Sequence, residues 1–184
     1  MADYRQIIPF FYKWEGGLSR DTNDSASSYP CPLLVKGVGG YHTNKGVTYR
    51  AWVSVFGKDK DERFMKMNEA DWGLIFKGSY WDKVKGDKIQ HQSIANVMVS
   101  WAWGSGSVTA VKQMQRVLGI TRDGIIGNQT IKAINESNEV ELFEKCVKAR
   151  EAFFRYICET NPKNKKFLKG WLNRLNDFNK QFHP

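Results

Sequence analysis

The stretch Phe10-Phe11-Tyr12-Lys13-Trp14-Glu15-Gly16-Gly17 places one carboxylate between an aromatic run and two glycines. The apolar residues leading into it have helical spacing, and Pro9 indicates a kink or a late helix start. Paired glycines end helices, because glycine enters the left-handed region without a Cβ penalty. We therefore expect Glu15 at a helix end, with aromatic rings on one side and an open loop on the other, a setting that suits a general acid.

The plainer alternative is a solvated Glu in a last helical turn, which is the commoner arrangement for any single Glu. Its carboxylate would meet the negative end of the helix dipole, which is locally unfavourable. Polar and glycine-rich motifs downstream favour the catalytic interpretation. These are Asp21, Asp24, Gly39-Gly40, Thr43 and Gly46-Val47-Thr48.

In this order the motifs resemble those of glycoside hydrolase family 108, lysozyme-like muramidases found in phage endolysins and bacterial secretion-activator proteins. The family pattern is an E-G-G, an Asp, a G-G-x-T and a G-[IV]-T. The chain departs from it where Ser25 to Val38 separates the Asp from the G-G, so Asp21 stays an alternative to Asp24. The matching residues are Glu15-Gly16-Gly17, Asp24, Gly39-Gly40-Tyr41-His42-Thr43 and Gly46-Val47-Thr48.

The C-terminal half carries a second set of motifs. The segment Asp123 to Thr130 has the sequence D-G-I-I-G-N-Q-T, which predicts a turn followed by a helix start. It also resembles the D-G-x-x-G-x-x-T of peptidoglycan-binding helical modules, which family 108 proteins carry in this half. Two further family signatures, R-x-x-[FY]-[FY] and F-x-x-G-W-x-x-R, match Arg150 to Phe154 and Phe167 to Arg174. The match to the family pattern is poorer around Ser100, where many members of the family have an Asp and an Asn.

Most of the chain has helical periodicity, so we predict a mainly α, lysozyme-like fold. A long irregular loop, with room for a small β-ribbon, is expected after the first helix. Residues 1–106 would form the catalytic part and residues 107–184 the peptidoglycan-binding-like part. Only Gly104-Ser105-Gly106 separates the helices at this boundary, which is too short for a flexible linker. We therefore predict that the two parts pack as one body.

Composition restricts the partners. The net charge of +9 in 184 residues suits a polyanion, either nucleic acid or a bacterial envelope. No nucleic-acid-binding motif is present and the basic residues are spread out, so we favour the envelope and expect no nucleic acid. The three cysteines and three histidines lack ligand spacing, so neither a disulfide framework, a metal nor a cofactor is expected. No apolar run is long enough to span a bilayer, and we expect a monomer without stable membrane insertion.

The first residues lack the charged and then apolar sequence of a secretory signal. We therefore expect synthesis in the cytoplasm and action in the periplasm or cell wall. Export would follow a holin-like or another non-classical route.

The resemblance implies a peptidoglycan-degrading glycoside hydrolase of the N-acetylmuramidase type that needs no cofactor. Glu15 would be the general acid, and the second carboxylate would be Asp24 first or Asp21 second. Thr43 and Thr48 would position a water or a sugar hydroxyl. Aromatic candidates for a sugar cleft, of which most are expected in the core, are Trp14, Tyr41, Tyr49, Trp81 and Trp103.

A non-catalytic wall-binding or secretion-accessory protein on the same fold is the main alternative. The intact E-G-G at Glu15 argues against it. The inserted segment and the missing Asp near Ser100 argue for it. A nucleic-acid binder would rest on charge alone.

Overall fold

The computed structural model describes residues 1–184 and confirms the predicted mainly α fold with a small β-ribbon. The strands are β1 (Leu18–Ser19), β2 (Thr43–Asn44) and β3 (Val47–Thr48). The α-helices are α1 (Ile8–Trp14), α2 (Tyr49–Phe56), α3 (Asp61–Met65), α4 (Glu69–Phe76), α5 (Gln92–Ser105), α6 (Ser107–Leu118), α7 (Asn128–Glu136), α8 (Glu139–Thr160) and α9 (Lys165–Phe182). Short 3-10 turns and one π-helical turn, Lys77–Trp81, complete the chain.

The chain divides into two compact units. We call Ile7–Ser79 the sheet unit, and Met1–Gln6 together with Tyr80–Pro184 the helical unit. The division falls between residues 79 and 80, inside the part (residues 1–106) that the sequence analysis assigns to catalysis. The reason is α5, which packs on α6 and α8 and so belongs with the C-terminal helices. That the whole chain forms one body stays a prediction.

Helix ends in the sheet unit follow the local sequence. Pro9 lies in the first turn of α1, as expected for a residue without a backbone N–H. Thr48 accepts a hydrogen bond from the Ala51 N–H at the start of α2, and Asn68 caps α4 in the same way. Phe11 of α1 packs against Trp72 and Phe76 of α4, at ring-centroid distances of 6.0 and 4.9 Å.

The sheet is antiparallel with β2 in the centre. The β2–β3 turn has positive φ at both Lys45 (46°) and Gly46 (76°), as tight hairpins require. Two buried donors hold this hairpin in place. The Asn44 side-chain amide donates to the Phe64 carbonyl at 2.7 Å, and the Trp72 indole donates to the Lys45 carbonyl at 2.9 Å. Helices α3 and α4 therefore fix the sheet.

The inserted segment Ser25 to Val38 has structure of its own. It begins with a 3-10 turn, Ser25–Ser28, and ends in a tight hairpin in which Val35 and Val38 exchange backbone hydrogen bonds of 2.8 and 2.9 Å. Between them, the Cys31 side chain is buried and the Cys31 N–H donates to the Tyr41 carbonyl at 2.8 Å. The insertion is therefore attached to the chain just before β2.

In the helical unit, the D-G-x-x-G-x-x-T motif forms a polar network around the buried Gln115. The Gln115 amide donates to the Asp123 carboxylate at 2.7 Å and to the Thr130 hydroxyl at 3.2 Å, and accepts from the Gly124 N–H at 2.9 Å. The Ile125 N–H and the Gln115 amide lower the pKa of Asp123. The motif therefore holds α6 to the start of α7, which supports its structural interpretation.

The remaining side chains form neither disulfides nor a metal site. Cys31, Cys146 and Cys158 are free and buried. Within residues 1–184 no group of three or more His, Cys, Asp or Glu side chains is arranged to hold a metal ion. None of the helices combines the length and the apolar character needed to cross a bilayer.

Truncation after Gly106 should leave an aggregating or unfolded fragment, because it removes the helices that cover α5. Ile94, Met98 and Trp101 of α5 are fully buried. At about 1.5–3 kcal/mol for each large side chain, their exposure consumes much of a typical net stability of about 5–15 kcal/mol. Solubility, thermal melting and binding of an apolar dye, compared with the full chain, measure this. A soluble fragment that melts cooperatively and binds no dye would contradict it.

Candidate active site

Glu15 follows directly on the last residue of α1. Its N–H donates to the Phe11 carbonyl at 2.9 Å, and its backbone is extended, with φ −90° and ψ 135°. The helix therefore ends at Glu15 itself. The prediction that Gly16 and Gly17 end it in the left-handed region is wrong, since neither has a positive φ. The Glu15 side chain is half-buried.

The two glycines instead leave space beside Glu15. Both are exposed, and a Cβ built on Gly16 or Gly17 would meet no atom within 4 Å. The Gly17 carbonyl accepts from the Lys45 N–H at 3.3 Å, so the strand after Glu15 is tied to the β2–β3 turn. Glu15 thus stands between a helix end and a sheet, next to backbone that a ligand can approach.

Asp21 and Asp24 are exposed and lie together after β1. The Asp24 N–H donates to the Asp21 carbonyl at 3.0 Å. One Asp21 carboxyl oxygen accepts from both the backbone and the side-chain N–H groups of Asn23, each at 2.9 Å. In Asp24, Oδ1 accepts from the Ala26 N–H at 2.9 Å and caps the following 3-10 turn, while Oδ2 makes no hydrogen bond. Asp24 therefore has one carboxylate oxygen available.

A buried histidine, His42, connects this loop to β2. Its Nε2 lies 3.0 Å from the Asp21 carbonyl oxygen, which can only accept, so Nε2 carries the hydrogen. In the neutral ring, Nδ1 then accepts from the Thr43 hydroxyl at 2.9 Å. The Thr43 proton is used by His42, and the oxygen lone pairs stay available to a donor such as a water or a sugar hydroxyl.

The other predicted residues of the sheet unit divide into accessible and buried ones. Trp14 and Tyr41 are half-buried, and the Arg20 guanidinium lies 5.8 Å from the Tyr41 ring centroid. Thr48 pairs with Thr43 across the sheet, but its hydroxyl caps α2. A shallow cavity of about 400 Å³ is lined by Arg20, Thr22, Ser27, Pro30, Gly39 and Gly40, around the loop that carries both Asp residues.

Two predicted cleft aromatics are core residues. Tyr49 is 2 % exposed, stacks on Tyr29 and donates its hydroxyl to Asp61; burial, followed by this hydrogen bond, raises its pKa. Trp81 is 0 % exposed, and its indole N–H donates to Asp87 at 2.6 Å. Neither ring can meet a ligand without unpacking. Trp103, which is half-buried, lies in the helical unit and lines a cavity there.

Sequence reasoning did not single out His42 and Asn44 as functional residues. Their position on either side of Thr43 could have identified them. Alternate residues of a strand share a face, so His42 and Asn44 lie on the face opposite to Thr43. Polar residues on an apolar face are the ones that make specific buried hydrogen bonds.

Comparison with known proteins identifies two segments of the chain. The family model "Glycosyl hydrolase 108" matches residues 8–106, and the model "Predicted Peptidoglycan domain" matches residues 109–176. No curated protein matches the chain. Among solved structures, the fold is similar to that of Brucella abortus SagA, with a TM-score of 0.73 and 24% identity, over 96% of this chain and 91% of that chain. At this identity the likeness concerns the fold.

His42→Ala should destabilise the protein by about 2–4 kcal/mol, because it removes two buried hydrogen bonds and leaves a cavity. Urea unfolding measures the loss, and hydrogen exchange should show faster exchange in residues 19–24. Thr43→Ser, which keeps the hydroxyl, is the matched control and should stay near wild type. Unchanged exchange in that loop would show that His42 does not hold it.

Proposed function

Because the chain belongs to the glycosyl hydrolase 108 family, we propose that it cleaves the glycan strand of peptidoglycan as an N-acetylmuramidase, with Glu15 as the general acid. The observation that carries the proposal is the position of Glu15, half-buried at the end of α1 and beside the open backbone of Gly16 and Gly17. The peptidoglycan domain model at residues 109–176 supports peptidoglycan as the substrate.

The chemistry requires a proton for the leaving oxygen and a second carboxylate for the oxocarbenium-like transition state. Glu15 donates its proton to the glycosidic oxygen as the bond to the anomeric carbon breaks. Asp24 then acts through its available Oδ2, either as the nucleophile or as the base that removes a proton from the attacking water. Asp21 is the second choice, because its carboxylate already accepts two hydrogen bonds from Asn23.

Thr43 supplies a positioning contact in this proposal. Since its hydroxyl hydrogen points to His42, its oxygen accepts from the attacking water or from a sugar hydroxyl. Thr48 holds α2 and so supports the strand from which Thr43 projects. Trp14 and Tyr41 are the remaining aromatic candidates for stacking on sugar rings, since each keeps part of its ring accessible.

We place the action of the enzyme in the periplasm or cell wall, where its substrate lies, with export by a holin-like or another non-classical route. The surplus of basic residues, +9 overall, favours association with an anionic envelope. Lysis, wall remodelling and assistance to secretion are all outcomes of the same bond cleavage.

The alternative is a wall-binding protein without catalysis. Two features favour it: the inserted hairpin before Gly39-Gly40, and the absence near Ser100 of the Asp that many family members carry in this region. The Glu15 variant below separates the two functions, because a binding protein has no activity for it to lose.

Glu15→Gln should reduce cell-wall lysis by about 10²–10⁴-fold and keep the fold, since the amide has nearly the same shape and no acidic proton. Turbidity loss of purified walls, beside a thermal melt, measures both effects. Glu62→Gln, which neutralises an exposed Glu of the same unit paired with Lys66, is the control and should keep full activity. Activity of the Glu15→Gln protein within a few-fold of wild type would remove Glu15 from the acid role.

Asp24→Asn should cost roughly 100-fold or more in wall lysis, and Asp21→Asn much less. Asn replaces Asp well at a helix N-cap and in an Asx turn, so each variant removes a charge and keeps its turn. Initial rates of lysis of the same purified walls compare the two variants, and circular dichroism verifies that both are folded. If Asp21→Asn is the weaker enzyme, the second carboxylate is Asp21; if both are mild, it lies elsewhere.

A further inference from the structure

Arg150 of α8 is a buried cation without an anionic partner. It is 7 % exposed, and its two terminal nitrogens donate to the hydroxyl and the carbonyl of Ser100, each at 2.8 Å. Its Nε–H makes no hydrogen bond. No carboxylate lies within ion-pair distance of the guanidinium. A buried charge of this kind is costly unless an opposite charge compensates it.

A cavity lies against this guanidinium. It has a volume of about 130 Å³ and lies wholly within the helical unit. A cavity of about 150 Å³ is known to admit a benzene molecule, so this one has room for a carboxylate with a small side group. The residues that give it its chemistry are Arg150, Arg174, Ser100, Trp103, Phe154 and Trp171.

The cavity is lined by both cations and aromatic rings. Arg174 is a second cation on its wall, and its charge acts on Arg150. Burial, together with this charge, lowers the pKa of Arg150 to about 9, so Arg150 is still charged at neutral pH. Among the aromatic lining residues, Trp171 and Phe154 lie with ring centroids 5.4 Å apart, and the Arg150 guanidinium lies 5.5 Å from the Phe154 ring.

We propose that this cavity is an anion subsite that takes a carboxylate of the peptide stems of peptidoglycan, with Arg150 and Arg174 as its ligands. This rests on the proposed function for the class of substrate. The stems carry free carboxylates next to small alkyl groups, which match the cations and the aromatic wall. The fork of a guanidinium binds a carboxylate through paired N–H donors. Phosphate would also meet the cations, but its tetrahedral, fully polar surface does not suit the aromatic rings.

The position of the cavity in the chain agrees with this assignment. Arg150, Phe154, Trp171 and Arg174 all fall within the segment that matches the peptidoglycan domain model. The carboxylates Glu15, Asp21 and Asp24 belong to the other compact unit. The subsite is therefore a separate binding element, which would retain a stem while the glycan is cleaved.

Calorimetric titration of the full-length protein with a muramyl tetrapeptide tests the proposal. The wild type should bind the peptide, and a version with its carboxylates amidated should bind roughly 10- to 100-fold more weakly, as expected for loss of a charged hydrogen-bond partner. Arg150→Met and Arg174→Gln should show the same loss. Arg155→Gln, on the same helix but exposed and paired with Glu151, is the matched control and should bind as wild type.

Thermal melts separate binding from folding. Arg150→Met should melt at or above the wild-type temperature, because it removes an uncompensated buried charge, and the peptide should raise the melting temperature of the wild type alone. If Arg150→Met fails to fold, Arg174→Gln and the amidated peptide still decide the matter. Equal binding of the amidated peptide, or binding of acetate and inorganic phosphate but not of the peptide, would overturn the proposal. Because binding is read directly and Glu15→Gln should bind normally, a lack of hydrolysis would leave this result unaffected.

Discussion

Two buried polar side chains, His42 and Asn44, hold the strand on which the candidate active site depends. Each strand of the sheet has only two residues, which is too short for a sheet to be stable by itself. The sheet therefore has to be stabilised by side chains that bind it to the rest of the unit. Asn44 ties β2 to the Phe64 carbonyl, and His42 ties the loop of Asp21 to the same strand. Between them Thr43 stays half-exposed, in line with Ser19 and Thr48.

This constraint explains how one short segment brings its groups together. The Gly17 carbonyl and the Lys45 N–H join the strand after Glu15 to the β2–β3 turn, and Trp72 holds that turn from α4. Phe11, one turn before Glu15, packs on the same Trp72. The end of α1 and the β2–β3 turn thus both contact Trp72. The backbone on either side of Glu15 is held by these contacts, so Gly16 and Gly17 can stay exposed without making the position of Glu15 variable.

Local signals were predictable from the sequence, and burial was not. Thr48, Asn68 and Asn138 each cap a helix by accepting from the N–H three positions later, which is a relation contained in the local sequence. Five aromatic residues were candidates for the cleft, with most of them expected in the core, but the sequence could not say which; Tyr49 and Trp81 are the core ones, since the side on which a ring packs depends on distant partners. The packing of α5 was not predictable for the same reason: it precedes the boundary at residue 106 in the sequence, but it packs on α6 and α8. Gly16 and Gly17 were predicted to end α1, but Glu15 ends it with an extended backbone, and neither glycine has a positive φ.

The most direct test of the account is an analysis of the bond that is cleaved. Purified peptidoglycan would be digested with the wild-type protein in oxygen-18-labelled water, and the soluble fragments analysed by mass spectrometry. Hydrolysis at N-acetylmuramic acid predicts new reducing ends on that sugar, each with one oxygen-18 atom, in amounts that follow the loss of turbidity. Walls that bind the protein but yield no labelled reducing ends would contradict a hydrolase and leave a binding protein on this fold.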